Sequence, residues 1–287
     1  MASRAPFSVI GATGKTGRRV VERLQARGLA CAGFSRGSET PFAWDAPATW
    51  PAVLRAAACA YVSYVPDLAV EGSAKVIAQL ASTARDHGVR RMILLSGRNE
   101  PSAQRAEAAL LSILPESTIV RASWFFQNFN EGQFAPDVAA GELALPVTAV
   151  REPFIDADDI AAVAVEAMVQ RGHEGRIHEL TGPQLLSFSD IADIVTRLAP
   201  APLSFRTVSI DTFMATLAAA GCPPDFADLL RQLFTEVLDG RSESVTNGVE
   251  DVLGRPPRRF EEFLVDAVRQ GRWPTAAADR PGAALTI

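Results

Sequence analysis

Three glycines at a spacing of three residues connect an apolar segment to a helix-patterned segment near the beginning of the chain. The apolar segment covers residues 7–10, and the glycines are Gly11, Gly14 and Gly17. A strand that bends sharply into a helix needs residues without a Cβ, because the backbone turns tightly there and approaches other groups closely. The first amide groups of the helix remain unpaired, and the N-terminal end of the helix dipole is positive. Both features suit a phosphate. The sequence therefore predicts a nucleotide-binding turn at the start of an α/β fold.

The end of the second predicted strand indicates which nucleotide this turn binds. Residues 29–34 form a short apolar run that stops at Ser35 and Arg36. A dinucleotide with a free 2′-hydroxyl calls for Asp or Glu at this point, and the segment has neither. The planar guanidinium of Arg36 suits a 2′-phosphate, with Ser35 and Ser38 as further donors. The sequence predicts NADP(H) as the cofactor, and the alternative is that Arg36 is an ordinary solvated loop residue.

Composition narrows the class of protein but not its reaction. A chain of 287 residues can hold one large α/β domain and a smaller lobe, and its net charge of −5 disfavours nucleic acid as a partner. The three cysteines are odd in number and far apart, which predicts reduced packing residues, and no metal-ligand spacing is present. No apolar segment reaches the length of a membrane span. We therefore expect a cytoplasmic monomer or homodimer that binds a small molecule, without membrane, nucleic acid or metal.

Strands and helices alternate through the first half of the chain. The predicted strands are 7–10, 29–34, 58–65, 91–96 and 117–121, with helices at 15–24, 68–87 and 103–114. Short alternating units form a doubly wound parallel Rossmann sheet, whose ligands lie beyond the carboxyl ends of the strands. This pattern is expected to gather the glycine turn, Arg36, Tyr64, Ser96 and Ser123 around one crevice.

The pattern changes after about Trp124 and predicts a second domain. A helix over 155–170, capped by Asp156 or Asp158, precedes a returning strand at 177–180. Four further helices follow at 189–198, 211–220, 224–238 and 260–270. We expect residues 1–150 to form the NADP-binding Rossmann domain, to which 151–186 return, residues 187–275 a smaller, mostly helical substrate lobe, and 276–287 a disordered tail. The residues before the first strand are also expected to be disordered.

The usual acid of ketone-reducing short-chain dehydrogenases is missing. Those enzymes carry a tyrosine four residues before a lysine, because the developing alkoxide needs a proton. The tyrosines of this chain are Tyr61 and Tyr64 and its lysines are Lys15 and Lys75, so no pair has that spacing. The histidines at 87, 173 and 178 offer no clear replacement. Either the protein transfers no hydride, or its substrate needs little acid catalysis.

Several segments are similar to those of a known family. They are the glycine turn at 11–17, Phe42-Ala43-Trp44-Asp45 with Thr49-Trp50, Leu94-Leu95-Ser96, residues 120–129, residues 158–164 and residues 180–187. They resemble the atypical short-chain reductases with an NmrA-like fold, and within them the festuclavine and agroclavine dehydrogenase branch. The likeness runs from about residue 7 to about residue 265. Two departures are Ala122-Ser123 in place of Pro-Thr, and Arg98, whose charge would repel a cationic substrate.

The resemblance implies an NADPH-dependent reductase that delivers hydride to a cyclic iminium without a tyrosine–lysine pair. An iminium carbon is already electron-poor, so hydride addition gives a neutral amine without a general acid. The implied substrate residues are the aromatic faces of Tyr64, Trp124, Phe125 and Phe129 and the amide of Asn128. The implied cofactor residues are Gly11, Thr13, Gly14, Lys15, Thr16, Gly17, Ser35, Arg36, Trp44, Asp45, Tyr64, Ser96, Gly97 and Ser123.

Other interpretations remain open at this point. The aromatic cluster at 124–126 is also typical of a hydrophobic core, to which we assign Phe126, and Trp44 is also suited to cover an apolar edge. Asp158 and Asp159 are expected to cap a helix. NmrA-like proteins include NADP(H) sensors without turnover, which equally need no catalytic acid. Reduction of a quinone or enone is the neighbouring enzymatic alternative.

Overall fold

The computed structural model describes residues 7–55 and 57–275. The strands are β1 (Phe7–Ile10), β2 (Cys31–Phe34), β3 (Cys59–Val62), β4 (Arg91–Gly97), β5 (Thr118–Ala122), β6 (Glu142–Leu145), β7 (Ile177–Leu180) and β8 (Ser204–Thr207). The α-helices are α1 (Lys15–Ala26), α2 (Trp50–Leu54), α3 (Ser73–Asp86), α4 (Pro101–Ile113), α5 (Ala135–Ala140), α6 (Ala157–Val169), α7 (Phe188–Leu198), α8 (Ile210–Ala219), α9 (Pro224–Gln232), α10 (Gly248–Leu253) and α11 (Phe260–Arg269). The disorder expected before residue 7 and after residue 275 concerns residues outside this description.

The chain divides into two compact units, each built from several stretches of sequence. The sheet unit comprises Met1–Ala122, Ala157–Leu180 and Asn247–Pro256, and the second unit comprises Ser123–Asp156, Thr181–Thr246 and Pro257–Ile287. This division differs from the predicted one, which kept residues 123–156 and 181–186 with the sheet and placed residues 247–256 in the substrate lobe. The backbone explains the difference, because Phe126 donates to the carbonyl of Ile155 and Gly182 to that of Pro153, which ties these stretches together.

Six parallel strands form the sheet unit, as the alternation of strands and helices predicts. Their order is β2-β1-β3-β4-β5-β7, with Phe7 opposite both Cys31 and Cys59 in register. The sequence order reverses between β1 and β3, where open α/β sheets bind ligands. Because all six strands are parallel, their carboxyl ends lie at one edge of the sheet.

The core of the sheet unit explains why these segments become strands. Every residue of β3 is buried, and the strand is a continuous apolar run, as expected when helices cover both faces. Trp50, Leu54, Ile77 and Leu80 from α2 and α3 are buried in the same core. Burial of a side chain of this size contributes about 1.5–3 kcal/mol, so this packing contributes strongly to the stability of the unit.

Phenylalanines dominate the core of the second unit. Phe126, Phe129, Phe154, Phe188 and Phe260 are almost completely buried there. This unit is mostly helical, and it also contains a two-stranded parallel sheet in which Glu142 of β6 pairs with Ser204 of β8. The sequence did not predict β8, a short strand with mostly exposed side chains. The predicted helix at 224–238 ends as an α-helix at Gln232 and continues as a π-helical turn over Leu233–Val237.

Within residues 7–55 and 57–275, no helix is long and apolar enough to cross a bilayer. The same residues contain no cluster of three or more His, Cys, Asp or Glu side chains that could hold a metal ion. The three cysteines are free thiols. Burial raises the pKa of Cys59 to about 12, so this thiol packs as an apolar group rather than reacting.

Candidate functional site

The glycine turn has the close approaches that its spacing predicts. Gly11 has a φ of 83° and donates its N–H to the carbonyl of Phe34 over 3.0 Å. A Cβ on Gly17 would lie 2.1 Å from the Gly11 carbonyl oxygen, so the helix start packs directly on the turn. Gly14 is the N-cap of α1 and provides no side chain to cap it. The turn therefore presents backbone rather than side chain, as a pyrophosphate site requires.

A further glycine, which the sequence analysis did not single out, supports the same turn from β2. A Cβ on Gly33 would lie 2.8 Å from the Cβ of Ala12. This position is the strand-side counterpart of Gly17, since both allow close packing around the turn. A glycine inside an otherwise apolar strand is the sequence signal for such an approach.

The polar side chains of the turn have different surroundings. Thr13 is exposed and Lys15 is half-buried, whereas Thr16 is buried. The hydroxyl of Tyr61 donates to Thr16 Oγ1 over 2.8 Å. Burial raises the pKa of Tyr61, so this phenol stays protonated. Thr16 therefore joins the start of α1 to β3. Its side chain is buried and already hydrogen-bonded to Tyr61.

Arg36 lies in the exposed loop that follows β2. It makes no hydrogen bond or ion pair with the described residues. Ser38 orders this loop, because its hydroxyl accepts the N–H of Ser35 over 2.8 Å and lies 3.1 Å from the Ser35 hydroxyl. An arginine held at the end of β2 with an unoccupied guanidinium fits the 2′-phosphate role predicted for it.

Trp44 and Tyr64 lie against each other in the sheet unit. Their ring centroids are 4.6 Å apart, and Trp44 also contacts Phe42 at 4.8 Å. Asp45 is exposed and has no partner among the described residues. Tyr64 is half-buried, and burial raises its pKa. Trp44 was predicted as a cofactor residue or as cover for an apolar edge, and its packing on Phe42 fits the second role.

Ser96, at the end of β4, belongs to a network of buried charges. Its hydroxyl donates to Glu107 Oε1 over 2.6 Å, and the guanidinium of Arg121 also contacts this carboxylate, with Nε 3.0 Å from Oε1. This carboxylate raises the pKa of Arg121, chiefly through hydrogen bonding. The network fixes the orientation of Ser96, one of the implied cofactor residues.

The same network neutralises Arg98, whose charge the sequence analysis identified as unfavourable for a cationic substrate. The side chain of Arg98 is buried, and its Nε lies 2.8 Å from Glu179 Oε1. Glu179 also lies 3.7 Å from Arg121. Because Arg98 is paired with a carboxylate on β7, its charge is compensated and its repulsion of a cation is weakened.

A carboxyl group that the sequence analysis missed lies at this same strand end. Glu100 is 7% exposed, and its Oε2 has no hydrogen-bond partner. The carboxyl occupies the space beside Gly97, since a Cβ built there would be 2.2 Å from its oxygens. Burial and the charges of Asp67 and Glu107 hold the pKa of Glu100 well above its usual range. Preceding Pro101 in the sequence, Glu100 looks like an ordinary residue at a helix start, which is why it gave no signal.

The predicted substrate residues of the second unit divide between half-buried and core positions. Trp124 is half-buried and stacks on Phe134, with ring centroids 6.1 Å apart, and Phe125 is also half-buried. Asn128 is 8% exposed, and its side-chain amide makes no hydrogen bond with the described residues. These three residues retain the features expected of ligand contacts.

Phe129 departs from the prediction, which offered it as an aromatic face for a cation. It is fully buried, and its ring lies 5.4 Å from Phe134 and 5.6 Å from Phe154. Protein rings occupy its faces, so Phe129 is a core residue. Phe126 lies in the core as expected, and Ser123 is buried.

The acidic residues predicted to cap α6 make ion pairs. Asp158 lies 3.2 Å from Arg19 and 3.4 Å from Arg23 of α1, and Asp159 lies 2.6 Å from Arg255. In the second unit, Asp156 accepts a hydrogen bond from Gln127 over 2.7 Å. Asp158 thereby links α6 to α1 next to the glycine turn.

Known proteins with similar sequences include two enzymes of clavine metabolism. The chain is 28% identical to festuclavine synthase II of Penicillium roqueforti over 283 residues, which covers 88% of this chain and 95% of that protein. It is 32% identical to agroclavine dehydrogenase of Claviceps fusiformis over 191 residues, or 64% of this chain and 66% of that protein. Festuclavine synthase II and agroclavine dehydrogenase are homologues of this chain. This chain is also 27% identical to the uncharacterized oxidoreductase YesF of Bacillus subtilis, over 92% of this chain and 95% of that protein. No protein-family model matches it.

Several solved structures share the fold of this chain at low sequence identity. A nucleoside-diphosphate-sugar epimerase from Staphylococcus aureus has a TM-score of 0.78 and 16% identity, covering 90% of this chain and 99% of that one. Triphenylmethane reductase of Citrobacter sp., complexed with NADP(H), has a TM-score of 0.76 and 16% identity, covering 91% and 99%. NmrA, a negative transcriptional regulator in complex with NAD, has a TM-score of 0.69 and 14% identity, covering 94% and 97%. The predicted NmrA-like α/β fold is confirmed.

Proposed function

We propose that this clavine-dehydrogenase homologue is an NADPH-dependent reductase that transfers hydride to a small cyclic imine or iminium. Its relatives include proteins named as an oxidoreductase, a festuclavine synthase and an agroclavine dehydrogenase, and structures of the same fold hold NADP(H) or NAD. The residues that fit this cofactor are the glycine turn for the pyrophosphate and Arg36 for the 2′-phosphate. When bound, the cofactor supplies hydride from its reduced nicotinamide.

The observation that carries the proposal is that neither tyrosine is placed to act as a proton donor with a lysine. Tyr61 is fully buried with its hydroxyl on Thr16, and Tyr64 packs on Trp44. Neither tyrosine precedes a lysine by four residues. A ketone needs a proton at its developing alkoxide, whereas hydride addition to an iminium gives a neutral amine directly. An imine or iminium is therefore the acceptor that demands least from these side chains.

The charges of the sheet unit are compatible with a cationic acceptor. Arg98 is compensated by Glu179, and the Glu107 carboxylate lies near the end of β4, where it accepts a hydrogen bond from Ser96. Tyr64 offers a half-buried aromatic ring after β3, and a cation gains about 0.5–2 kcal/mol from such a face. In the second unit, we assign substrate contacts to Trp124 and to the unpaired amide of Asn128.

The experiment that tests this function measures oxidation of NADPH by purified protein. Cyclic imines, their N-methyl iminium salts, quinones and enones are supplied in turn, and the absorbance of the reduced nicotinamide is followed. We expect consumption with the imines and iminium salts. Turnover of quinones or enones alone would replace this function with the neighbouring one.

A protein that only senses NADP(H) would give a different result in the same assay. It would consume no NADPH with any acceptor, and calorimetry would show unequal binding of the oxidised and reduced cofactors. That combination would overturn the proposed reductase function.

A further inference from the structure

Glu100 is a buried carboxyl group whose Oε2 has no hydrogen-bond partner within residues 7–55 and 57–275. Glu100 is the N-cap of α4, yet its side chain makes no capping hydrogen bond. The chain reaches it through Asn99, which has a φ of 57°, an uncommon conformation outside glycine. The carboxyl is directed to Gly97, where only a residue without a Cβ leaves room for it. An unpaired buried carboxyl oxygen is destabilising, so its presence at a strand end needs a physical reason.

The groups around Glu100 disfavour a negative charge on it. Asp67, in the loop after β3, and Glu107 of α4 both place negative charge nearby. The positive charge of Lys15 favours the ionised form of Asp67. The Oδ1 of Asp67 also accepts the N–H of Ala69 over 2.8 Å. Arg121 is hydrogen-bonded to Glu107 rather than to Glu100. No cation contacts the Glu100 carboxyl among the described residues, so a neutral carboxylic acid is the form that this setting favours.

We propose that the Glu100 carboxyl holds a proton in the free protein and donates it to the nitrogen of a bound neutral imine, so that the protein generates its own iminium. The inference rests on the proposed imine reduction and names the neutral imine as its substrate class. The unpaired oxygen then has a partner when substrate is bound. The position also fits, because Ser96 and Gly97 at the same strand end are implied cofactor residues, and ligands of a parallel sheet lie beyond the carboxyl ends of its strands.

The step balances without any further reactant. The O–H bond of Glu100 breaks, and the nitrogen lone pair of the imine forms an N–H bond. The hydride from reduced nicotinamide forms a C–H bond at the imine carbon, and the C=N π electrons become the lone pair of the amine. Oxidised nicotinamide and an ionised Glu100 remain, and Glu100 regains its proton from water. The dipole of α4, at whose start Glu100 lies, stabilises the transient carboxylate.

The test compares a neutral cyclic imine with its N-methyl iminium, which carries its charge permanently. We expect Glu100→Gln to lower kcat/KM for the neutral imine by about 10²–10⁴-fold, the usual contribution of a general acid. Turnover of the iminium by the same variant should stay within about threefold of the wild type. Glu116→Gln, an exposed change in the same unit, should leave both rates unchanged.

The pH profile separates proton donation from a structural role. For the wild type, kcat/KM with the neutral imine should fall as pH rises through the pKa of Glu100, whereas the rate with the iminium should not. Gly97→Ala is a second variant, because its methyl group displaces the carboxyl without removing it. It should reduce turnover of the neutral imine more than turnover of the iminium.

A measurement without substrate tests the proton itself. Carbon-13 NMR of glutamate-labelled protein should show one carboxyl, absent from Glu100→Gln, that is still protonated at pH 7. An ionised Glu100 at pH 7, or equal loss of both substrates in Glu100→Gln, would overturn the inference. The inference would also be overturned if Glu100→Gln reduced each of the two substrates at the wild-type rate. If the wild type reduces neither substrate, the proposed function fails first and the inference fails with it.

Discussion

Ser96 and Glu107 are joined by a buried hydrogen bond of 2.6 Å, which ties the end of β4 to the middle of α4. The same carboxylate accepts from Arg121 of β5, so one side chain joins two strands and a helix. Buried charged groups are stable only when their partners are complete. The position of Ser96 therefore depends on Glu107, although the two residues are eleven positions apart in sequence.

Replacement of Glu107 tests this dependence. Glu107→Ala leaves the guanidinium of Arg121 without its main partner, so we expect the free energy of unfolding to fall by about 3–5 kcal/mol in urea denaturation. Glu116→Ala is the matched surface control, and its effect should stay within about 0.5 kcal/mol. Similar stability of the two variants would show that the network contributes little.

The glycine turn gives a second prediction, based on space rather than charge. A methyl group at residue 17 would lie 2.1 Å from the Gly11 carbonyl oxygen, which is backbone and moves only with the turn. Gly17→Ala should therefore lower the Tm by several degrees and abolish measurable NADPH binding in calorimetry. Gly37→Ala meets no atom within 4 Å and should keep the wild-type Tm.

Local patterns were sufficient to predict the sheet and the nucleotide turn. The β1 segment, the glycine spacing and the buried β3 run each carry their structural information within a few residues. The end of β2 at Phe34 and the exposed position of Arg36 also follow from the local pattern. These features depend on backbone sterics and on the burial of short apolar runs, which a single sequence displays.

Features that depend on long-range packing were not accessible in the same way. Phe129 is apolar and lies beside two plausible pocket residues, yet whether its ring faces a ligand or Phe154 depends on where distant segments pack. Glu100 similarly acquires its character from Asp67, which is 33 positions away in sequence. The division into units differs from the predicted one for the same reason, because the chain leaves the sheet unit after Ala122 and re-enters it at Ala157.

Arg36 gives a prediction about cofactor choice. Its guanidinium is exposed and has no partner among the residues that the structure describes, so Arg36→Ala should remove contacts with a 2′-phosphate and little else. Hydrogen bonds to a charged group contribute about 1.5–3 kcal/mol, which corresponds to a Kd for NADPH raised about 10- to 150-fold. The Kd for NADH should change less than twofold, and Arg55→Ala, also exposed and unpaired, should alter neither. Equal weakening of both cofactors would contradict the assignment.

Asn128 and its neighbour Gln127 should respond oppositely to the loss of their amides. Asn128→Leu removes no side-chain hydrogen bond to the described part of the chain, so its free energy of unfolding should change by less than about 1 kcal/mol, while kcat/KM for the imine falls about 3- to 10-fold. Gln127→Leu removes the 2.7 Å bond to Asp156 and should destabilise the protein by about 1–3 kcal/mol. Kinetics and urea denaturation of both variants decide the point, and unchanged kinetics in Asn128→Leu would exclude a substrate contact.

Glu100 should also reveal itself in the pH dependence of stability, independently of any substrate. Its pKa is raised in the folded protein above the ordinary value near 4.3, mainly by burial, so the native state binds more protons than the unfolded state between the two values. The contribution of this group to stability is fully present below the unfolded pKa and is lost as pH rises through the folded one. Glu100→Gln lacks that loss, so its stability relative to the wild type should increase with pH, by up to about 1.4 kcal/mol per pH unit. Urea denaturation at several pH values measures the difference, with Glu116→Gln as the exposed control. A difference between Glu100→Gln and the wild type that is independent of pH would mean that Glu100 is ionised in the folded protein.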